Sequence, residues 1–258
     1  PIDREVMARD LGFAGITANS LDAVGDRDFA LDYLYALATL ATHLSRLAED
    51  MVLSASQEFG YIVLPDEYAT GSSMMPQKKN PDAWELLRGK TGRVTAGLVT
   101  LLITLKGLPS SYQRDLQEDK EPVFAAHDQA QAMVRIATGA AAATRLNESR
   151  LREAASDPAL LATEAAHYLV RRGLPFRQAH EVVGQLVREG ERQGVSWAEL
   201  PLADLKKFSP LFEADLRDAL TVDAALSSRD VPGGTAPARV QQALADCRGR
   251  LAQWEARA

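Results

Sequence analysis

Cysteine is nearly absent from this 258-residue chain, which contains only Cys247. One cysteine excludes a framework of intrachain disulfides and is typical of a protein from a reducing compartment. The simplest interpretation of Cys247 is a buried or half-buried packing residue in a terminal helix. Stability must then come from a hydrophobic core, for which a content of 46% hydrophobic and 25% charged residues is ordinary.

Long apolar runs and an excess of basic residues are also missing. No apolar segment reaches the length of about 18 residues that crosses a bilayer, and no signal-like segment opens the sequence. The 29 basic and 35 acidic residues give a net charge of -6, unlike that of a typical nucleic-acid-binding protein. We therefore expect a cytoplasmic protein with neither a membrane nor a nucleic acid as partner. The chain begins at Pro1 rather than Met, so we expect a portion of a longer polypeptide.

Helical periodicity is the main positive signal, and it is strongest over residues 27–59. This range contains no Gly or Pro, and one apolar stripe recurs at spacings of three and four through Leu34, Leu37, Ala41, Leu44, Leu47 and Met51. Asp26 or Ser20 is a candidate cap for this helix, and Gly60 follows its end. A helix of this length suggests a bundle or a helix shared between subunits.

Two more long helices are predicted, over residues 82–105 and 118–146. The first of them should turn one apolar face inward, made of Trp84, Leu87, Val94, Leu98, Leu101 and Leu105. It also contains three glycines that weaken an isolated helix. We interpret them as points where the backbone of a neighbouring helix approaches closely: Gly89, Gly92 and Gly97.

Shorter elements follow Asn147, separated by Gly- and Pro-rich turns. We predict helices over 148–155, 158–171, 175–193, 201–207, 210–219 and 236–256. Only YIVLP, residues 61–65, is strand-like. The sequence therefore predicts an all-α protein with a helical-bundle domain at residues 1–150 and a smaller C-terminal helical domain at residues 151–258.

The segment ATGSSMMPQKKNPD, residues 69–82, is richer in functional groups than a connector requires. Each serine by itself is an ordinary loop hydroxyl, and each lysine by itself is solvated. Together they precede a helix start, whose unpaired N–H groups attract anions. The combination favours a carboxylate or phosphate site with a reactive serine nearby. Neither a nucleophile elbow nor a P-loop pattern is present.

This segment resembles the signature loop of the fumarase/aspartase superfamily of lyases. All six fixed positions of that loop match: Gly71, Ser72, Ser73, Pro76, Lys78 and Asn80. The extended form TGSSMMPQKKNPD and a second motif, LPSSYQRDLQEDK at residues 108–120, resemble the argininosuccinate lyase family within it. Further likeness lies in LDAVGDRDF, HLSRLAEDM, YLVRRGLPFRQAH and GGTAP, so that the resemblance covers nearly the whole chain. The eye-lens delta-crystallins share this pattern.

The resemblance implies a carbon–nitrogen lyase of arginine biosynthesis that eliminates fumarate from argininosuccinate and releases arginine. It implies a long-helix bundle of the fumarase/aspartase type, assembled as a homotetramer whose active sites each draw segments from three subunits. No cofactor and no metal are implied, and no His/Cys/Asp cluster has the spacing of metal ligands.

The resemblance also assigns roles to the loop and the helix that follows it. Ser72 is the expected catalytic base, and Ser73 a supporting hydroxyl. Lys78 and Asn80 are expected to hold the succinyl carboxylates of the substrate, a role that their chemistry also favours. Glu85, otherwise a plain acidic residue near a helix start, is expected to orient a catalytic histidine.

In the second motif, Tyr112, Gln117 and Lys120 match positions that line the pocket for the arginine end of the substrate. Arg27 resembles an arginine close to the site. The sequence departs from the expected family form at three places, which are Gly25 in place of serine, residues 110–111 and residues 113–114.

The catalytic histidine of the superfamily belongs to a segment upstream of the matched region. The four histidines of this chain stand outside any matching motif, and we expect packing or surface roles for His43, His127, His167 and His180. The chain by itself is therefore expected to be inactive. Two alternatives remain open: another fumarate-releasing lyase, such as adenylosuccinate lyase or fumarase, and a crystallin-like or inactive structural protein.

Overall fold

Three long helices form the core of the first of two units, Pro1–Asn147 and Glu148–Ala258. The structure is a computed structural model that describes residues 2–257. In the first unit the helices are α1 Arg4–Asp10, α2 Ser20–Gly25, α3 Asp28–Ala55, α4 Asp82–Leu105 and α5 Lys120–Ala143. Helices α3, α4 and α5 pack against one another. The predicted all-α class is confirmed.

Four two-residue strands tie loops to this bundle. β1 Ile62–Val63 pairs in antiparallel fashion with β4 Arg145–Leu146, and β2 Thr70–Gly71 with β3 Lys79–Asn80. Only β1 lies in the segment that the sequence marked as strand-like. Short 3₁₀ turns precede β2 at Asp66–Tyr68 and α5 at Arg114–Asp119.

Small residues on α5 allow the three helices to approach closely. The buried positions of α5 follow spacings of four and three, at Ala126, Ala130, Met133, Ala137 and Ala140. Opposite them, a methyl group on Gly97 of α4 would meet the carbonyl oxygen of Pro122 at 3.0 Å and the Cβ of Ala126 at 3.2 Å. The close-approach interpretation is therefore correct for this glycine and wrong for Gly89 and Gly92, which have no such neighbour within 4 Å.

The predicted apolar stripe of α3 is right at its start and wrong at one later position. Leu34 and Ala41 are buried, whereas Leu47 is 37% exposed and its neighbour Ala48 is fully buried. The helix ends at Ala55, four residues earlier than predicted, because the Gly60 amide donates to the Ser56 carbonyl and turns the chain back.

The start of α3 is separated from the helix before it. The Asp26 carboxylate accepts a hydrogen bond from the Asp28 amide at 2.9 Å. The N-cap of α3 is nevertheless Arg27, without a side-chain cap hydrogen bond, so the prediction of Asp26 as the cap is wrong. Ser20 does not cap α3, because it begins α2, whose own cap is Asn19.

The second unit consists of shorter helices. They are α6 Glu148–Ala155, α7 Pro158–Arg171, α8 Phe176–Gln193, α9 Leu202–Phe208, α10 Leu216–Ala219, α11 Val222–Ser227 and α12 Pro237–Glu255. The helix predicted over 210–219 is reduced to α10, and α11 was not predicted. Cys247 is exposed on α12, which has no buried residue among those described, so its predicted packing role is wrong. No helix within residues 2–257 has the length and apolarity that a bilayer span requires.

A buried ion pair holds part of this second unit together. The Glu164 side chain is only 4% exposed, and its carboxylate pairs with the Arg229 guanidinium. The Ser228 hydroxyl lies 3.3 Å from the same carboxylate and donates to it. Removal of the arginine leaves a buried carboxylate without its counter-charge, which is far more costly than the loss of an exposed pair.

Arg229→Met is therefore expected to lower the free energy of unfolding by about 3 kcal/mol. Urea unfolding of the 258-residue chain, followed by circular dichroism, measures the change. The matched control is Arg192→Met, because Arg192 pairs with Glu189 on the surface of α8. The control should leave the midpoint nearly unchanged, and equal midpoints for the two variants would contradict the prediction.

Candidate active site

The Gly-Ser-Ser loop is held at its base and open at its tip. Residues 72–78 connect β2 to β3, and pairing of these strands brings the two ends of the loop together. The Asn80 side-chain amide donates to the Gly71 carbonyl across the base at 3.4 Å. The Thr70 hydroxyl and the Asp82 carboxylate also form a hydrogen bond there. Met74, at the tip, is 88% exposed.

The hydroxyl of Ser72 lies among backbone N–H groups. Its Oγ accepts hydrogen bonds from the amides of Met74 and Met75, both at 3.2 Å. N–H groups that point at an oxygen favour negative charge on it, and this arrangement suits a hydroxyl that must lose a proton. Ser73 is exposed, and residues 2–257 give it no hydrogen-bond partner.

An open cleft of about 810 Å³ lies at the foot of the loop. Its walls are the end of α3, strand β1 and the start of α4, and three of the predicted site residues line it: Lys78, Asn80 and Glu85. Ser72 and Ser73 do not line the cleft in this open arrangement. The first turn of α4 has no side-chain cap. The amides of Trp84 and Glu85 donate to the Pro81 carbonyl, so within residues 2–257 those of Asp82 and Ala83 remain available to an anion.

The two adjacent lysines of the loop differ in their electrostatic surroundings. Lys79 forms an ion pair with Asp66, and the hydrogen bond and charge of this lysine hold the pKa of the Asp66 carboxyl below its usual value. Lys79 is 51% exposed, as expected of a solvated lysine, and it forms this ion pair in addition. Lys78 has no ion pair with any described residue, and its ammonium group remains available to a ligand in the cleft.

The residues of the second motif form a separate cluster around Asp119. The Asp119 carboxylate accepts from Arg27 Nε at 2.6 Å and from Lys120 Nζ at 2.9 Å. Burial opposes its ionisation, but the hydrogen bonds from Lys120 and Arg27 outweigh burial and lower its pKa. Tyr112 Oη accepts from Gln117 Nε2 at 2.5 Å. Asp119 is thus a functional candidate that sequence reasoning did not select, although it stands inside the matched motif.

Two departures from the family pattern contact each other beside this cluster. A Cβ atom on Gly25 would lie 3.1 Å from the carbonyl oxygen of Ser111, and Ser111 itself has a positive φ of 75°. Both residues line a second cleft of about 460 Å³, together with Arg27. The absence of a side chain at position 25 therefore suits the backbone path of the segment that carries Tyr112.

Within one chain the two clusters lie at opposite ends of the bundle. The loop precedes α4 and the Tyr112 segment follows it, and the 24 residues of this helix span about 36 Å. The start of α3 lies at the second cluster, where Arg27 binds Asp119, and its end lies at the loop cleft. One chain therefore does not bring Ser72 and Lys78 together with Tyr112 and Lys120.

None of the four histidines lines the loop cleft. His127 Nδ1 lies 2.5 Å from Tyr33 Oη on the surface of the bundle, and His43 is exposed on α3. In the second unit, His167 and His180 contact the ring of Phe176, with ring centroids 6.4 and 6.2 Å from it. No group of three or more potential metal ligands occurs within residues 2–257.

A bundle of long helices with this loop at one end is the architecture of the fumarase/aspartase class of lyases. The chain is similar to the crystal structure of EDDS lyase in complex with formate, with a TM-score of 0.88, 28% identity, and coverage of 99% of this chain and 53% of that one. Class II fumarase from Schistosoma mansoni shares the fold, with a TM-score of 0.60, 21% identity, and coverage of 82% and 42%.

The particular family follows from sequence. A family model described as lyase matches residues 1–96, and one described as argininosuccinate lyase C-terminal matches residues 159–227. Argininosuccinate lyase of Roseiflexus castenholzii is 52% identical over 252 residues, with coverage of 98% of this chain and 55% of the relative. That of Moorella thermoacetica is 50% identical, with coverage of 98% and 54%. Over nearly its whole length the chain is similar to argininosuccinate lyases, and it spans about half the length of the curated relatives it matches.

Proposed function

We propose that this chain supplies the base and the carboxylate-binding groups of an argininosuccinate lyase, which cleaves argininosuccinate into arginine and fumarate during arginine biosynthesis. The observation that carries the proposal is the environment of Ser72. Its hydroxyl accepts hydrogen bonds from two backbone N–H groups. The same short loop presents Lys78 and Asn80 to an open cleft. The base and the anion-binding groups therefore lie within one segment of nine residues, from Ser72 to Asn80.

The reaction begins when Ser72, as an alkoxide, takes a proton from the carbon beside a succinyl carboxylate. The electron pair left on that carbon delocalises into the carboxylate, which then carries additional negative charge. Lys78, Asn80 and the first two backbone N–H groups of α4 stabilise this charge. The pair then forms the double bond of fumarate while the carbon–nitrogen bond breaks, and the guanidino nitrogen leaves with a proton from an acid.

Supporting groups complete the proposed site. Glu85 lines the same cleft, and we assign it the orientation of a histidine supplied from outside the described chain. Ser73 is a supporting hydroxyl. We assign Tyr112, Gln117 and Lys120 to the arginine end of the substrate, with Arg27 as a positioning group that fixes Asp119, which in turn contacts Lys120.

Assembly into a homotetramer would join the two distant clusters. Because one chain separates them by the length of α4, a complete site needs the loop of one subunit and the Tyr112 segment of another. The long helices also expose large apolar side chains that such an assembly would cover: Phe29, Tyr35, Leu102, Ile103 and Phe124. The family resemblance supports a cytoplasmic tetramer that needs no cofactor.

An ultraviolet assay for fumarate release from argininosuccinate tests the proposed function. The form of the chain that is active in this assay, alone or with the amino-terminal half of a curated relative, is called the active lyase. Turnover of adenylosuccinate or malate in its place would assign the chain to another branch of the superfamily. No turnover with any of these substrates would favour a crystallin-like structural role.

Lys78→Met in the active lyase is expected to lower kcat/KM by about 10²-fold, with kcat and KM both affected. A lysine that faces a carboxylate in a closed site makes a charge-assisted hydrogen bond whose loss has roughly this effect. Steady-state kinetics on argininosuccinate measure the change.

The matched control is Lys79→Met. Lys79 and its partner Asp66 are 51% and 84% exposed, and exposed pairs of this kind contribute little. The control should change kcat/KM by less than about threefold. Equal losses in the two variants would show that the lysine facing the substrate has been wrongly assigned.

A further inference from the structure

We propose that Tyr68 is a positioning residue that fixes the base of the Ser72 loop by docking on the backbone of α5 at Gly139. The proposal rests on the proposed function and adds a residue outside the matched loop motif. Tyr68 ends the 3₁₀ turn before β2 and stands four positions before Ser72. A shift of its ring therefore moves the strand from which the loop begins.

The contact between Tyr68 and Gly139 leaves no room for a side chain on α5. A Cβ atom on residue 139 would lie 2.0 Å from Tyr68 Oη and 2.8 Å from its Cζ, which is far inside van der Waals contact. The ring of Tyr68 is half-buried and packs against the core of the three long helices. The absence of a side chain at Gly139 thus leaves the space on α5 that the Tyr68 hydroxyl occupies.

The other contacts at the base of the loop are exposed, join the loop to itself or join it to α4. The Lys79–Asp66 pair is largely exposed, and such pairs hold little in water. Asn80 binds Gly71 across the base, and Thr70 binds Asp82 at the start of α4. Tyr68 therefore adds a contact between the loop base and α5.

A comparison of glycines supplies a control for this inference. Gly92 of α4 is also in the middle of a long helix, but it has no such neighbour within 4 Å. Alanine at either position favours the helical conformation over glycine. A loss seen only with Gly139→Ala therefore cannot come from helix propensity and must come from the displaced ring.

The test is a double-mutant cycle with two readouts. The first is measured on the 258-residue chain and the second on the active lyase. Four proteins are compared: the unchanged chain, Gly139→Ala, Tyr68→Leu and the double variant, with Gly92→Ala as control. The first readout is the rate of tryptic cleavage after Lys78 and Lys79, measured by mass spectrometry, which needs no enzymatic activity. The second is kcat and KM for argininosuccinate.

Gly139→Ala is expected to speed cleavage of the loop about tenfold, because opening of a loop controls its proteolysis. It should lower kcat by about 10- to 100-fold, since a small misplacement of a catalytic group has effects of this size. In the Tyr68→Leu background, Gly139→Ala should change either readout by less than about twofold. Both substitutions disrupt the same contact between Tyr68 and Gly139, so their effects are not additive. Gly92→Ala should match the unchanged chain.

Equal effects of Gly139→Ala in both backgrounds, or no effect on loop cleavage, would overturn the role of Tyr68. Circular dichroism checks that each variant is folded before it is scored. The two proposals fail separately. Faster loop cleavage in Gly139→Ala, with no fumarate released by the chain either alone or with the amino-terminal half of a curated relative, would support the role of Tyr68 and reject the proposed function. Fumarate release by the active lyase, together with unchanged loop cleavage in Gly139→Ala, would support the proposed function and reject the role of Tyr68.

Discussion

Ser72→Ala is expected to lower the turnover of argininosuccinate by roughly 10²–10⁴-fold, the usual cost of losing a general base. The fold should not change, because the described hydrogen bonds of Ser72 are local ones from Met74 and Met75 in an exposed loop. Their amides can bind water when the hydroxyl is removed. Fumarate release by the active lyase, with circular dichroism of the same sample, measures both expectations.

Two further substitutions separate the chemistry of Ser72 from its place in the turn. Ser72→Asn keeps an oxygen that can accept from the same amides, as asparagine does in turns, but it provides no base. It should be as inactive as Ser72→Ala. Ser73→Ala, the neighbouring control, should have a much smaller effect. If Ser72→Asn were active, or if Ser73→Ala gave the larger loss, the base would have to be reassigned.

The 258-residue chain alone is expected to release no measurable fumarate from argininosuccinate. Departure of the guanidino nitrogen needs a proton donor, and none of the four histidines lines the cleft beside the loop. The chain also spans 55% of its relative from Roseiflexus castenholzii, so groups carried by the remaining part of that relative have no counterpart within it. The prediction is checked by the ultraviolet assay on the purified chain.

Addition of the amino-terminal half of that relative should restore activity, provided that the two parts assemble into a composite site. The same mixture made with the Ser72→Ala chain is the matched control and should stay at least about 10²-fold less active. Robust turnover by the chain alone would contradict the prediction. The acid would then be sought by substitution of each histidine in turn: His43, His127, His167 and His180.

Local periodicity predicted the long helices well because burial repeats along them. The bounds of α4 agree with the prediction to the residue, and Trp84 and Leu101 are buried as expected. The same reasoning failed at Leu47, since the stripe does not say which of two adjacent apolar residues faces the neighbouring helix. It also could not separate Gly97 from Gly92, because a close approach depends on a helix that is distant in sequence.

For the candidate site, the sequence likewise predicted the residues of the motifs but not their distant contacts. The loop motif selected Ser72 and Lys78, but the sequence did not show that Lys79 pairs with Asp66 or that Tyr68 docks on Gly139. These partners are 13 and 71 positions apart, and no short pattern links them. The family resemblance assigned the second motif to the same chemistry. Only the length of α4 shows that one chain holds the two motifs apart.

The pairing of β2 with β3 limits the conformational entropy that a ligand must remove from the loop. Ordering a residue costs about 1–2 kcal/mol of backbone entropy, so the cost of closing a loop grows with the number of free residues. Here the two ends are already joined, and only residues 72–78 are left to order. Bringing the two ends of a free loop together has an entropic cost. For this loop, pairing of β2 with β3 meets that cost when the protein folds. More of the binding energy is then left for the substrate itself.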